Sequence, residues 1–249
     1  MPIEHPEIAL SPLDTSRFGV CTARADALTA EGLAGALDFC RSQNVDLLIG
    51  RCRVDDASTV HRLEAAGFLL MDTLVYYRRN LASSPATDPG DGRIRLLREG
   101  EAEQVEAIAR ECFRDYGGHY HADPRLDRRT CTEVYASWAR TSCEQHGASR
   151  FVLVAEDGQG LVAFSTFALS PANEGELLLG AVSPRARGSG LYRLLTLSGM
   201  YRLQSSGANR FVTSTYLGNW GAQASWAAVG LSPHAAYHTF HRWFDKPIV

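Results

Sequence analysis

One segment constrains the fold of this chain more than any other. Residues 176–182 form the apolar run Glu-Leu-Leu-Leu-Gly-Ala-Val, and after Ser183-Pro184 the chain continues as Arg-Ala-Arg-Gly-Ser-Gly-Leu. This pattern predicts a strand, then a glycine-containing turn, then a helix that begins near Gly190. The first amides of a helix have no partners within it, and the helix dipole is positive at that end. The segment therefore predicts a local anion-binding site.

The side chains of the turn agree with this interpretation. Gly188 and Gly190 let the backbone approach an anion without a Cβ in the way, and Arg185 and Arg187 add positive charge. The spacing is not that of the phosphate loop of ATPases, which needs Gly-Lys-Ser/Thr. It also differs from the dinucleotide fingerprint Gly-x-Gly-x-x-Gly. The predicted anion site is therefore of another kind.

The turn resembles the Gln/Arg-x-x-Gly-x-Gly/Ala motif of the GNAT superfamily, the acyl-CoA-dependent N-acyltransferases. A second segment, residues 219–231 (Asn-Trp-Gly-Ala-Gln-Ala-Ser-Trp-Ala-Ala-Val-Gly-Leu), is similar to the family's Asn-x-x-Ala-x-x-x-Tyr-x-x-x-Gly-Phe. The two motifs occur in the family's order, and the resemblance covers residues 93–244. It implies an α/β GNAT fold, a mixed central sheet flanked by helices. It also implies acetyl-CoA as the co-substrate.

The resemblance also assigns roles to residues. In the GNAT fold the fourth and fifth strands separate and the pantetheine arm enters the gap, so backbone groups near Gly180 and Val182 are expected to bind it. Gly180 N–H is expected to face the thioester carbonyl and stabilise the oxyanion. Glu176 stands at the general-base position, and simple alternation puts it on the same strand face as Gly180. The residues expected to bind the cofactor are Ala181, Val182, Arg185, Arg187, Gly188, Ser189, Gly190, Leu191, Asn219 and Trp226.

Structural alternatives stand beside these assignments. Gly180 would also serve to avoid a clash between strand and helix. Glu176 would also suit the solvated start of a strand, where Glu174 competes with it as the base. Asn219 is a good helix N-cap residue, and this role is compatible with cofactor binding.

Trp226 departs from the family pattern, which usually has a tyrosine there to protonate the departing thiolate. An indole N–H does not ionise usefully, so we expect Trp226 to pack against the acyl chain or the pantetheine sulfur. A thiol with a pKa of about 8.5 is a tolerable leaving group without a dedicated acid. Tyr216 and Ser225 are the local substitutes.

A candidate acceptor site lies in residues 117–125, Gly-Gly-His-Tyr-His-Ala-Asp-Pro-Arg. In the superfamily this loop lines the acceptor pocket. Together with the N-terminal part, including residues 16–20, it is similar to the dTDP-fucosamine acetyltransferase group. That resemblance implies a small-molecule amine acceptor, a nucleotide-linked amino-deoxy sugar. The residues expected to bind it are His119, His121, Asp123 and Arg125.

The residues of this loop also have a purely structural interpretation, and we do not expect them to bind a metal. A capping turn in which Asp123-Pro124 starts a helix would explain these residues without any ligand. The two histidines lack a third ligand at a defined spacing, so we expect no metal.

A polar segment rich in turn-forming residues, 82–92, divides the chain. We predict an N-terminal domain at residues 1–81, a linker at 82–92 and a catalytic GNAT domain at 93–249. In the catalytic part, strands are predicted at 94–97, 151–155, 160–167, 176–182, 211–216 and 237–244, and helices at 102–113, 129–141, 190–205 and 221–228.

The N-terminal part repeats a pattern of the C-terminal part. A predicted helix at 29–42 and strand at 45–49 are followed by a helix that starts at Asp56 or Ser58 and ends at Gly67. One or two strands at 68–77 follow. This order resembles residues 211–244, so we predict a smaller, degenerate GNAT-like N-terminal half.

Composition excludes several classes of function. The 249 residues carry 25 basic and 28 acidic side chains, a net charge of -3, so no basic field favours nucleic acid or an anionic membrane. The six cysteines form no Cys-x-x-Cys pair, which is typical of reduced thiols. The first residues lack the features of a signal peptide, and no apolar run is long enough to span a bilayer. We therefore expect a cytoplasmic protein and leave a homodimer open.

Three functional hypotheses follow. The first is an N-acetyltransferase that acts on a nucleotide-linked amino sugar. The second keeps the fold but uses another small-molecule amine or a longer acyl donor. The third is a non-catalytic acyl-CoA-binding module, in which Trp226 marks lost chemistry.

Overall fold

The computed structural model describes residues 8–145, 147 and 149–244. The chain forms two compact units, each made of several segments. Unit 1 takes its residues from Met1–Val75, Gly117–Thr130 and Ala235–Val249, and unit 2 from Tyr76–Tyr116 and Cys131–His234.

The described residues contain ten strands and eight helices. In chain order they are β1 (Ile8–Leu10), α1 (Pro12–Phe18), β2 (Thr22–Ala25), α2 (Leu33–Ser42), β3 (Leu47–Arg53), α3 (Ala57–Ala65), β4 (Leu69–Asn80), β5 (Ile94–Leu96), α4 (Ala102–Cys112), α5 (His119–Ala122), α6 (Arg128–Glu144), β6 (Arg150–Asp157), β7 (Gly160–Leu169), β8 (Glu174–Val182), α7 (Leu191–Ser205), β9 (Arg210–Tyr216), α8 (Trp220–Ala227) and β10 (Ser232–Trp243). A short 3-10 turn, Pro184–Ala186, lies between β8 and α7. No helix among the described residues is both long and apolar enough to cross a membrane.

In unit 1 the strands lie in the order β1, β2, β3, β10. β2 and β3 are parallel, whereas β1–β2 and β10–β3 are antiparallel. The core of this unit combines strand residues such as Leu48 with Leu33, Cys40 and Leu63 of α2 and α3. These helices bury one apolar stripe each, as their sequence spacing predicts.

In unit 2 the strands lie in the order β4, β9, β8, β7, β6, β5. The pairs β5–β6, β6–β7 and β7–β8 are antiparallel, and β8–β9 is parallel. Helix α7 packs on the face that carries Phe167, since a Cβ on Gly199 would lie 2.1 Å from the Phe167 ring. Only glycine at this helix position permits so close a contact. The mixed sheet flanked by helices agrees with the predicted fold class.

The repeated strand–helix–strand order predicted from the sequence is present. Gly67 after α3 and Gly230 after α8 both have φ +80°. In both places the next amide returns to the helix: Phe68 N–H donates to Leu63 O and Leu231 N–H to Trp226 O, each at 3.0 Å. This is the pattern of a glycine C-cap.

The compact units do not follow the linear division at residues 82–92. The last residues of β4, from Tyr76, belong to unit 2, and most of β10 belongs to unit 1. Residues 84–92 are irregular, but Leu81 O and Ala86 N–H both bond to the Gln204 side chain of α7, at 2.9 and 2.8 Å. The domain limits 1–81 and 93–249 therefore stay a prediction about the sequence repeat.

The elements expected from the sequence are found within a few residues of their predicted limits, except that β10 begins five residues earlier, at Ser232. Four short elements were not predicted: β1, α1, β2 and α5. The signal for α1 was present in the sequence. Ser11 caps the helix by accepting from Asp14 N, Pro12 opens it, and Gly19 ends it with φ 69°.

Candidate active site

The turn before α7 has an unusual backbone. Gly188 and Gly190 have φ values of 78° and 76°, in the left-handed region. A Cβ on either glycine would meet nothing within 4 Å. The backbone conformation, not packing, therefore requires glycine at these two positions.

The amides of this turn and of the first turn of α7 are open. Within the described part of the chain, no group accepts a hydrogen bond from the N–H groups of residues 188–193. The first helical bond runs from Leu194 N–H to Gly190 O at 3.1 Å. Residues 187–190 are exposed, and no side chain caps the helix. Ser189 Oγ donates to Ala186 O, and Leu191 is buried beneath the turn. This cradle, residues 188–190, is a set of open main-chain donors at the positive end of a 15-residue helix. The Arg187 amide is engaged, since it donates to Pro184 O at 3.4 Å.

The two arginines of the motif have different surroundings. Arg185 is paired with Asp157 and also donates to Gln159 Oε1 at 3.2 Å, so its guanidinium is held by the turn between β6 and β7. Arg187 is exposed beside the cradle. Burial raises the pKa of the nearby Cys112 thiol, and the Arg187 charge partly offsets this. The motif cation that adjoins the open amides is therefore Arg187.

The strands β8 and β9 pair over only part of their length. Their parallel ladder runs from Glu174–Arg210 to Leu177–Thr213 and ends there. Among the described residues, 178–182 of β8 continue without a strand partner on that side, although Val182 O accepts from Cys112 Sγ at 3.3 Å. The two strands are therefore unpaired at the end that leads to the cradle, and this unpaired interval is called the gap below.

The backbone groups of Gly180 and Val182 point toward this gap. Ser183 N–H donates to Val162 O at 2.8 Å, so this is a hydrogen-bonded pair of the antiparallel β7–β8 ladder. Bonded and non-bonded pairs alternate in such a ladder. Gly180 and Val182, opposite Ser165 and Ala163, are therefore in non-bonded pairs, and their N–H and C=O groups face away from β7. Ala181 lies between them, buried and opposite Phe164.

The expectation that Glu176 and Gly180 share one strand face is wrong. Leu177 pairs with Phe167, but Leu179 pairs with Thr166, so Leu178 is an extra residue in a β-bulge. A bulge shifts the alternation of side chains by one residue. Gly180 therefore lies on the face covered by α7, whereas Glu176 lies on the opposite face.

The two acidic residues at the start of β8 differ in their partners. Glu174 forms an ion pair with Arg210 at 2.9 Å. Burial, and then the neighbouring Glu174 charge, raise the pKa of Glu176. A carboxyl with a raised pKa is a better proton acceptor near neutral pH, which suits Glu176 better than Glu174 to a base role.

Trp226 and Asn219 hold α8 against the rest of unit 2. Trp226 is 1% exposed, with its ring centroid 5.4 Å from that of Tyr77 and 6.4 Å from that of Tyr192. Asn219 caps the helix by accepting from Ala222 N–H at 3.3 Å, and its Nδ2 donates to Thr215 Oγ1 at 2.9 Å. Asn219 is thus the N-cap of α8, and cofactor binding by Asn219 stays a prediction.

The candidate acceptor residues lie together in unit 1. His119 and His121 belong to the helical turn α5, and both are buried. His119 Nδ1 lies 2.9 Å from His241 Nε2, and His241 Nδ1 lies 2.7 Å from Asp123 Oδ2. Arg125 stacks its guanidinium 4.1 Å above the Trp243 ring. The loop is therefore tied to β10 by a chain of polar contacts.

Asp123 is enclosed in this network. It is 2% exposed, and its carboxylate accepts from Trp243 Nε1 at 2.8 Å and from Arg125 N–H at 2.9 Å. Burial alone would raise the pKa of Asp123, but the hydrogen bonds from His241 and Trp243 outweigh it and the pKa is lowered. Asp123 does not begin a helix, because α6 begins at Arg128.

The sequence interpretation missed His241 and Trp243, which lie about 120 residues from Asp123. The signal was a His-x-Trp pair in a strand, where residues two apart share a face. Burial, followed by electrostatic interactions with His241, Arg51 and Arg24, keeps the pKa of His119 well below its ordinary value. Among the described residues, no group of three His, Cys, Asp or Glu is arranged to hold a metal ion.

Solved structures with similar folds were found. A GCN5-related N-acetyltransferase from Sphaerobacter thermophilus superposes with a TM-score of 0.67, covering 97% of this chain and 77% of that chain at 13% identity. One from Kribbella flavida has a TM-score of 0.63, covering 96% of this chain and 88% of that chain at 13% identity. This chain has the GNAT fold.

A tandem GNAT protein from the clavulanic acid biosynthesis pathway shares this fold as well. It has a TM-score of 0.57 and 15% identity, and the match covers 90% of this chain and 76% of that chain. No protein-family model matches the chain, and no curated protein matches it. At these identities the likeness establishes the GNAT fold, and the activity must be argued from the site.

Proposed function

We propose that this chain is an N-acyltransferase that transfers an acetyl group from acetyl-CoA to a primary amine. One observation carries the proposal: the gap between β8 and β9 leads to a cradle of open amides at the N-terminus of α7. A thioester on a long arm with a diphosphate needs both features, a slot for the arm and donors for the phosphates. The GNAT fold supports the same class of reaction.

The residues present fit acyl-CoA. The amides of Gly188, Ser189 and Gly190 would hold the diphosphate, with Arg187 adding a charge-assisted contact. The Gly180 C=O and the Val182 N–H would bind the pantetheine amides as a neighbouring strand does, whereas the Val182 C=O already accepts from Cys112 Sγ at 3.3 Å. Arg185 is held by Asp157 and would contribute less. Yeast N-myristoyltransferase, described with bound myristoyl-CoA, shares the fold with a TM-score of 0.55, which leaves the acyl length open.

The reaction is a direct attack of the amine on the thioester. Gly180 N–H would donate to the carbonyl oxygen as negative charge develops on it, an effect typically worth about 3 kcal/mol. Glu176 would accept the proton of the amine. Because four residues separate Glu176 from Gly180, roughly 13 Å along the strand, Glu176 would act through water.

For the acceptor we propose a nucleotide-linked amino-deoxy sugar, on the resemblance of residues 117–125 and the N-terminal part to the dTDP-fucosamine acetyltransferase group. Asp123 is committed to His241 and Trp243, so its role is to fix the loop. The contacts to the acceptor would then fall to His119, His121 and Arg125. Another small-molecule amine remains the alternative. A homodimer and a cytoplasmic location stay predictions.

A non-catalytic acyl-CoA-binding module is the second candidate. The observation that favours it is Trp226, a non-ionising side chain where the family has an acid. Such a module would use the same gap and cradle but would release no thiol.

Two measurements together decide between these functions. Isothermal titration with CoA tests binding, and thiol release from acetyl-CoA tests turnover with a panel of amino-sugar nucleotides, aminoglycosides and amino acids. We expect micromolar CoA binding and turnover with at least one nucleotide-linked amino sugar. Binding without turnover on a broad panel would favour the module, and absence of CoA binding would end both proposals. The Glu176→Gln variant is expected to bind CoA normally and to lose at least 10-fold in kcat.

A further inference from the structure

The ring of Tyr192 lies between the gap strand and Trp226. Tyr192 is the second residue of α7, directly after the cradle. On one side, a Cβ on Gly180 would lie 3.0 Å from Tyr192 Cε2. On the other side, the Tyr192 ring centroid is 6.4 Å from that of Trp226. The phenol therefore lies beside Gly180, the residue proposed to face the thioester carbonyl.

Two buried polar atoms near this ring lack hydrogen-bond partners of ordinary geometry among the described residues. Ser165 Oγ and Trp226 Nε1 are buried and make no hydrogen bond of ordinary geometry within the described part of the chain. Ser165 Oγ lies 2.6 Å from the place that a Gly180 Cβ would take. Buried polar groups are normally satisfied, so two together mark a place where a ligand or water completes the site.

We propose that Tyr192 is the general acid that protonates the leaving sulfur, in place of the tyrosine that Trp226 replaces. This inference rests on the proposed acyl transfer. The amine nitrogen bonds to the thioester carbon, and the C–S bond then breaks with its electron pair going to sulfur. The Tyr192 O–H proton moves to that sulfur and gives the free thiol. The phenolate regains a proton from solvent, while the amine proton leaves through Glu176.

The other hydroxyl groups near α8 are engaged elsewhere. Ser225 Oγ donates to Gly221 O at 2.9 Å, along its own helix. Tyr116 Oη and Thr215 Oγ1 are hydrogen-bonded at 3.0 Å, and Thr215 also accepts from Asn219. Tyr216 packs edge-on against Tyr116 at 4.8 Å. The Tyr192 hydroxyl interacts with the Trp226 indole. Because an indole N–H only donates, the phenol proton is left to donate to another atom.

The surroundings keep Tyr192 in its proton-bearing form. Burial raises its pKa well above the ordinary value, and the nearby Trp226 indole offsets this only in part. Tyr192 therefore carries its proton throughout the pH range in which the enzyme would work. A phenol whose anion is poorly solvated is a weak acid, and a free thiolate is a weaker base than this phenolate. The proton must therefore reach the sulfur while the C–S bond breaks, and solvent then reprotonates the phenolate.

The test compares three Tyr→Phe variants within unit 2. Tyr192→Phe is expected to lower kcat by about 100-fold, within the range typical of a lost general acid, with an unchanged Kd for CoA. Tyr77→Phe is the matched control. Its ring also packs on Trp226, but its hydroxyl bonds to Gln223 at 3.3 Å, and kcat should stay within about 2-fold. If the Tyr116→Phe variant loses activity while the Tyr192→Phe variant stays active, the proposal is overturned.

A second readout follows the phenol itself. With 3,5-difluorotyrosine at position 192, the phenol has a lower pKa than tyrosine at the same buried position, so kcat should fall at alkaline pH as this phenol ionises. The 19F signal should shift when CoA binds. A fluorinated protein that binds CoA but shows no alkaline fall in kcat contradicts the acid role. If CoA does not bind the unmodified protein, the proposed function has failed instead, so the two failures are distinguishable.

Discussion

Gly180 and Tyr192 are in such close contact that a methyl group on Gly180 would approach Tyr192 Cε2 to 3.0 Å and Ser165 Oγ to 2.6 Å. The third neighbour, Phe164 O, is backbone at 3.2 Å and cannot move aside cheaply. We therefore expect Gly180→Ala to destabilise the fold by about 2 kcal/mol, as overpacked sites do. It should also lower kcat/KM, because the Tyr192 ring must shift. Urea denaturation and thiol release measure the two effects.

Gly221→Ala is the control for that substitution. Gly221 lies in α8 of the same unit, and a Cβ there would meet nothing within 4 Å. Alanine favours helix over glycine by up to about 1 kcal/mol. The Gly221→Ala protein should be as stable as the wild type or more so. Equal destabilisation by both substitutions would show that Gly180 is not closely packed.

The cradle glycines should respond differently. Gly190→Ala places a Cβ in open space but at φ 76°, so the expected cost is strain of about 1–2 kcal/mol without a clash. Relief of this strain would turn the amides away from their common direction, and the affinity for CoA should fall at least 10-fold. Calorimetry and denaturation of the same preparation check this. Unchanged affinity and stability would mean that the left-handed turn does not exist in solution.

Arg187 and Arg185 should contribute unequally to CoA binding. Arg187 is exposed beside the cradle, whereas Arg185 is paired with Asp157. We expect Arg187→Gln to weaken binding about 10-fold, roughly 1.4 kcal/mol, with a smaller effect at high salt. Arg185→Gln should change affinity less than 3-fold, as measured by titration at two salt concentrations. If Arg185→Gln weakened CoA binding more than Arg187→Gln, the diphosphate would lie nearer to the β6–β7 turn.

Folding stability should fall as the pH drops from 7 to 5, because of His119. Its pKa in the folded chain is lowered, chiefly by burial, while the unfolded value is about 6.5. Below pH 6.5 the unfolded chain binds a proton that the folded chain does not, so acid favours unfolding. The lowered pKa of Asp123 acts only at lower pH, as that carboxylate becomes protonated.

Denaturation at several pH values tests this for His119→Asn. Between pH 7 and 5, the unfolding free energy of this variant should depend less steeply on pH than that of the wild type, by up to about 1 kcal/mol per pH unit. His61→Asn is the control, since His61 lies exposed on α3 of the same unit. An unaltered slope in His119→Asn, or an equal change in His61→Asn, would rule out His119 as the cause.

The parts of the fold set by local sequence were predictable. The start of α7 and its two glycines follow from residues 184–191, because turn chemistry needs only neighbours in the chain. The C-cap at Gly67 and the Asp56 cap of α3 follow for the same reason. Periodicity also placed the apolar stripes of α2 and α4, as their buried faces confirm.

Features that depend on partners far along the chain were not predictable. The bulge at Leu178 results from the register between β7 and β8, and no residue type announces it. It moved Gly180 to the face opposite Glu176. Asp123 was interpreted as a ligand contact because its partners His241 and Trp243 are supplied by β10. Tyr192 was overlooked because its importance comes from contact with Gly180 and Trp226, not from its place in a motif.

The most direct test of the central claim is a crystal structure of the chain with bound CoA. We predict that the diphosphate oxygens lie within hydrogen-bond distance of the amide nitrogens of residues 188–190, and that the pantetheine arm runs between β8 and β9 with its sulfur beside Tyr192. A diphosphate held elsewhere, or a gap filled by the Tyr192 side chain with the arm outside it, would contradict the claim.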